Sequence, residues 1–154
     1  MRENYKEITR TLIDQSFPLL TDKKICILVM QLRFFACSVW IPPFLRFIVL
    51  SKRTRDFDKS VITGLLAHEL CHQERYIKMG VLKYLGFAIG FLISRNVRSA
   101  EEKATDRLTI EKGYGRELYE LSEITYNDRK HKTINEFYLS MDEIKSHSES
   151  IGKW

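Results

Sequence analysis

The stretch Leu65-Leu66-Ala67-His68-Glu69-Leu70-Cys71-His72 constrains this chain more than any other. It reads as HExxH on a helix. Side chains four residues apart project from one helix face, so His68 and His72 can grip one zinc ion. Glu69 falls on the flank of that pair, where it can take a proton from a water on the ion without serving as a ligand. The pattern fixes only three positions, and chance matches occur, with histidines that are merely surface or core polar groups. The context favours the metal: the motif sits mid-helix, behind apolar residues and a strand-rich region.

A chain of 154 residues suits one domain, 1–154, with a modest core. The net charge of +5 is mildly basic. No compact basic block or nucleic-acid motif accompanies it, so scattered surface cations are expected and no nucleic-acid partner. Three cysteines, Cys26, Cys37 and Cys71, with no CxxC spacing, exclude a disulfide framework and a cysteine zinc knuckle. Cys26 and Cys37 read as buried small hydrophobes, and Cys71 as packing. The polar N-terminus carries no signal-peptide pattern, so a cytoplasmic location is expected.

Along the chain, residues 2–16 read as a helix with Tyr5, Ile8 and Leu12 on one face, stopped by Phe17-Pro18. Three short apolar runs follow: 25–30, 34–40 and 46–51. Their β-branched and aromatic content and their breakers predict three strands. Asp58 or Ser60 caps the motif helix, which runs to Lys78 with Gly80 at its stop. Residues 80–95 are apolar and hold a GxxxG at Gly86 and Gly90. The uncharged part, 84–94, is short of the ~20 residues a spanning helix needs. A buried or helix-packing segment is the plain expectation; a membrane-dipping or self-associating segment is the alternative. Ser99 starts a helix to about Lys112, closed by Gly113 and Gly115. Another covers 116–126 with Leu118, Leu121 and Ile124 inward. Thr133-x-x-Glu136 is a capping box for a last helix through Phe137, Met141 and Ile144. Residues 146–154 read as a polar, frayed tail.

A third metal ligand must come from elsewhere. A metzincin would carry Gly at 75 and His at 78, but Arg75 and Lys78 stand there. His131 and His147 lie far downstream. Glu102 and Asp106 share a helix face, so Glu102 can bind the ion while Asp106 accepts the other ring N–H of His68 or His72. Ser99-x-x-Glu102 is also a capping box, which competes for Glu102. Glu101 and Asp106 are the other candidates for the third ligand.

With these residues the chain resembles the gluzincin metallopeptidases, most of all the minigluzincins and, more distantly, the Ste24/HtpX-like peptidases. Ala67 to His72 and Ser99 to Asp106 carry the resemblance. It implies an α+β, minimal zincin-like fold: a small three-stranded sheet packed on the HExxH helix, a glutamate helix and further C-terminal helices. It implies a Zn2+ cofactor, hydrolysis of peptides or unfolded proteins, and a latent form in which a terminal segment covers the cleft. The residues expected to act are His68, His72 and Glu102 on the metal, Glu69 in catalysis and Asp106 behind a histidine. Tyr114, Tyr119, Tyr126 and His131 are candidate oxyanion donors. Substrate is expected along an edge strand, with Arg46 to Ser51 as the candidate. A non-catalytic module acting through residues 80–95 at a membrane or partner is the remaining alternative.

Overall fold

The structure, a computed structural model, describes residues 2–128 and 135–154. Helix α1 (Arg2–Ser16) turns Tyr5, Ile8 and Leu12 into the core, as their spacing requires. Three strands follow: β1 (Ile25–Met30), β2 (Ala36–Ile41) and β3 (Leu45–Ser51). Their order is β1-β3-β2. β3 lies parallel to β1, with Ile27 opposite Ile48, and antiparallel to β2, with Val39 opposite Phe47. Among the described residues the architecture is therefore α+β, with one small mixed sheet beside five helices.

This order corrects the expected edge. Residues 46–51 form the central strand, hydrogen-bonded on both sides, and cannot accept a further chain. A tight β2–β3 connection makes those strands neighbours, but β1 returns to the far side of β3 in parallel, which leaves β2 at the rim. Cys26 and Cys37 are only half-buried, because each lies on a strand with one open face.

After a 3-10 turn at Lys52–Asp56, helix α2 spans Lys59–Ile93. It breaks at Gly80, whose φ of 72° suits glycine alone. The expected stop is thus present, but helical geometry resumes at once. The first segment, 59–79, is the central element: Leu66, Ala67, Leu70 and Cys71 are fully buried. Each such leucine stabilises the fold by about 1.5–3 kcal/mol. Buried Gln73 fixes this segment to the sheet, donating to the carbonyls of Val39 and Phe47 and accepting from Arg46.

The second segment, 81–93, is an amphitheatre of apolar side chains with one packed side. Tyr84 and Phe87 pack on Trp40 and Tyr76, while Leu82, Leu85, Ile89, Leu92 and Ile93 are exposed. The expectation of a buried segment therefore holds for one stripe and fails for the other.

Helix α3 (Arg95–Glu111) crosses α2 and bends through Gly113, at φ 96°, into α4 (Gly115–Asn127). Leu118 and Leu121 face inward. Thr133 of the expected capping box, and His131, lie outside the described residues. A 3-10 turn at Asn135–Phe137 leads instead to α5 (Met141–Ser150). Ser140 and Glu143 form its capping box. The stretch expected to fray is helical to Ser150, held by buried Ile144 and Ser148, and Trp154 packs edge-on against Tyr119.

Candidate metal centre

α2 and α3 supply the centre. His68 and His72 lie one turn apart on α2 and face Glu102 on α3. His68 Nε2 and His72 Nε2 each stand 3.2 Å from the same oxygen, Glu102 Oε2. All three residues are buried, and one donor atom from each falls within 4.8 Å of the others. A tetrahedral ion with donors at about 2.0–2.1 Å separates neighbouring donors by about 3.3 Å. Each histidine-to-glutamate spacing matches that edge, and His68, His72 and Glu102 lie close enough to hold a metal ion.

Why is Glu102 free for this? α3 begins earlier than expected. Ser94, not Ser99, is its N-cap, accepting from the Val97 N–H at 3.3 Å. Ser99 is inside the helix, so the competing capping box does not form. Asp106, one turn beyond Glu102, places Oδ1 2.9 Å from His68 Nδ1, an ion-pair distance with the ring N–H not squarely aligned. Its other oxygen accepts the Leu139 N–H at 2.9 Å. Asp106 therefore links His68 to the segment before α5.

His72 is oriented by residues that sequence reading did not assign to it. Its Nδ1 lies 3.3 Å from Glu101 Oε1 and 3.2 Å from Thr105 Oγ1. Arg75 clamps Glu101 through both oxygens, at 2.8 and 2.7 Å. Glu101, a candidate third ligand, is thus engaged with Arg75 on the other side of the ring from Glu102. Tyr76 stacks on His72 with centroids 5.9 Å apart, and its position four residues on was a signal available in the sequence. Tyr138 stands 5.9 Å from the His68 ring.

The candidate oxyanion donors among the described residues lie elsewhere. Tyr114 bonds Ser16, Tyr119 meets Trp154, and Tyr126 is exposed. Cys71 accepts from Thr109, and burial pushes its thiol up to about 12, so it stays protonated and packs.

The electrostatics follow from crowding charge into the core. Burial opposes protonation of both rings, but the carboxylates outweigh it. Asp106 and Glu102 hold His68 well above its ordinary range, and Glu102 with Glu101 raises His72 to about 9. Burial likewise opposes ionisation of Glu102, yet the two histidines hold its pKa far below the usual carboxylate range. A bound cation replaces those ring protons, which couples metal uptake to proton release. Glu69 behaves differently: burial raises its pKa and the histidines offset this only in part. Its Oε2 is buried without a hydrogen-bond partner among the described residues. Ser38 on β2 donates to the Glu69 carbonyl at 2.7 Å, tying the rim strand to the motif.

His68, Glu69 and Asp106 open on a cavity of about 70 Å³, walled by Phe34, Leu118, Leu121, Tyr138, Leu139 and Ile144. That space holds a few waters and is well below the ~300 Å³ at which ligand pockets begin.

No protein-family model, curated protein or solved structure matches this chain at a significant level. The functional reading therefore rests on the residues themselves.

Proposed function

We propose that this chain is a zinc metallopeptidase of gluzincin type, with a zincin-like fold, that hydrolyses peptide bonds in peptides or unfolded proteins. One observation carries the reading: two imidazoles converge on a single carboxylate oxygen, with a glutamate beside them that keeps one buried oxygen unpartnered among the described residues. Two neutral nitrogens and one carboxylate are the donor set of an open catalytic zinc site. When bound, zinc supplies Lewis acidity, polarising a carbonyl and making water acidic near neutral pH.

The rest is the work of the chain. His68, His72 and Glu102 hold the ion. Asp106 on one ring, and Glu101 with Thr105 on the other, fix the ring orientations. Glu69 moves the proton, from the attacking water to the leaving amine. Burial raises its pKa, which favours a carboxylate that takes up a proton and then gives it back. The outer edge of β2, joined to the motif through Ser38, offers main-chain hydrogen bonds to an extended substrate.

The small cavity supports a closed, latent form of the same enzyme. Tyr138 and Leu139 cover His68 and Asp106, and Phe137 is gripped by the guanidinium groups of Arg95 and Arg98. A polypeptide reaches Glu69 once this segment moves.

The test is metal content and cleavage of an unfolded protein by purified wild type and Glu69→Gln. Both proteins are expected to carry stoichiometric zinc, and only the wild type, with its cover displaced, to cleave. Equal cleavage by both would remove Glu69 from the mechanism.

A further inference from the structure

We propose that residues 81–93 of α2 and the β2–β3 tip, residues 41–45, form one surface that seats this protein on an anionic lipid bilayer. The surface is apolar beyond what a water-facing helix needs. Between Gly80 and Ile93 the only charged residue is Lys83. One stripe, Tyr84, Phe87 and Ala88, is consumed by packing on Trp40 and Tyr76. The other is left in water: Leu82 is 87% exposed, Ile93 80%, Leu92 75% and Ile89 63%. A helix apolar on all sides belongs in a core or in lipid, and here the core takes one side only.

The hairpin tip extends the same surface. Trp40 and Tyr84 stack with centroids 4.8 Å apart, and the Trp40 N–H donates to the Tyr84 hydroxyl at 3.2 Å. Immediately beyond Trp40, Phe44 is 83% exposed, with Ile41 and Leu45 also exposed. An aromatic at a loop tip beside an exposed apolar helix is suited to shallow insertion at the headgroup boundary.

Charge selects the occupant. Residues 38–50 and 75–100 contain no aspartate or glutamate. Arg75, Lys78 and Arg95 are paired with Glu101, Glu74 and Glu136. Lys83 and Arg98 have no carboxylate partner among the described residues, and Arg98 instead bonds the Phe91 carbonyl. In a pair of identical copies, Lys83 would be buried against a face with no acid to meet it. Beside a bilayer it reaches back to lipid phosphates while its stem stays in the apolar layer.

Geometry selects lying over spanning. The whole Lys59–Ile93 helix is long and apolar enough by length and composition to cross a membrane, with mean hydropathy 1.5 in its most apolar window. However, residues 59–79 are committed to the core, and the break at Gly80 leaves thirteen residues. Thirteen residues rise about 20 Å, short of a ~30 Å hydrocarbon layer.

Flotation of the full chain with lipid vesicles tests this. Vesicles of phosphatidylcholine alone are compared with vesicles containing one part phosphatidylglycerol to two of phosphatidylcholine. Wild type is expected to float with the anionic vesicles and to bind them at least about tenfold more tightly than neutral ones. Leu82→Glu with Phe44→Glu is expected to lower that affinity at least about tenfold. Lys83→Gln is expected to lower it about fivefold, with a weaker salt dependence. All three side chains point into solvent, and unchanged thermal melts check that the variants fold. Failure of wild type to float, or equal flotation of the double variant, would overturn the proposal. So would a dimer in sedimentation, lost in the double variant, without flotation: the surface would then be a self-association face. Zinc content and peptidase activity do not enter the readout, so this proposal and the proposed function fail separately.

Discussion

Glu101 and Arg75 shape the candidate centre without being among its three donors. Arg75 holds Glu101 through two hydrogen bonds, and Glu101 faces His72 Nδ1. Removing either end, as Glu101→Gln or Arg75→Ala, frees the His72 ring to turn. Zinc affinity measured by chelator competition is expected to fall about 10–100-fold in each. The same pair sets an acid limit. Burial raises the pKa of Glu101, but Arg75 and His72 more than offset it and hold the carboxyl at about 2, against an ordinary 4.5. A depressed native pKa stabilises the fold above the unfolded value and loses that stability as pH falls through about 2. A displacement of this size corresponds to about 3 kcal/mol. Urea melts are expected to show that loss below about pH 4.5, and Arg75→Ala to reduce it, since His72 still faces the carboxylate. That His68 and His72 would face Glu102, with Asp106 beside a histidine, was legible in the sequence, because residues four apart share a helix face. It did not disclose Arg75 as a partner of Glu101. That contact joins two helices whose relative rotation no periodicity encodes.

Backbone approaches backbone tightly where α4 crosses α2. A methyl group on Gly64 would lie 2.4 Å from the Glu117 carbonyl oxygen, a backbone atom that cannot turn aside. Gly64→Ala is therefore expected to cost about 1–3 kcal/mol, read as a lowered Tm of about 2–4 °C per kcal/mol. Gly86 is the contrast: a methyl there meets nothing within 4 Å. Gly86→Ala is expected to raise stability by about 0.5–1 kcal/mol, the ordinary helix preference for alanine. Most elements were legible in the sequence, since strand composition, Gly80 and the inward faces of α1 and α4 follow local rules. Strand order was not, because the parallel return of β1 to β3 depends on how α1 and α2 cover the sheet. The last helix was displaced for a similar reason. It begins at Met141, capped by Ser140 with Glu143, and buried Ile144 and Ser148 hold what composition alone reads as a tail.

At the scale of the whole molecule, the centre is built from the middle of the chain and covered by its end. Ile144 and Ser148 are core residues, so trimming the chain before α5 would damage the fold along with the cover. Tyr138 is the better lever, since it borders the cavity and packs on His68. If the covered form is latent, Tyr138→Ala is expected to raise cleavage of an unfolded protein several-fold at unchanged zinc content. All of this presupposes that His68, His72 and Glu102 hold an ion together. Metal analysis of the purified protein beside Glu102→Ala tests that most directly. One zinc per chain is expected in the wild type, with loss of tight zinc in a variant that still melts cooperatively. Tight stoichiometric zinc in Glu102→Ala, or no zinc in the wild type, would contradict it.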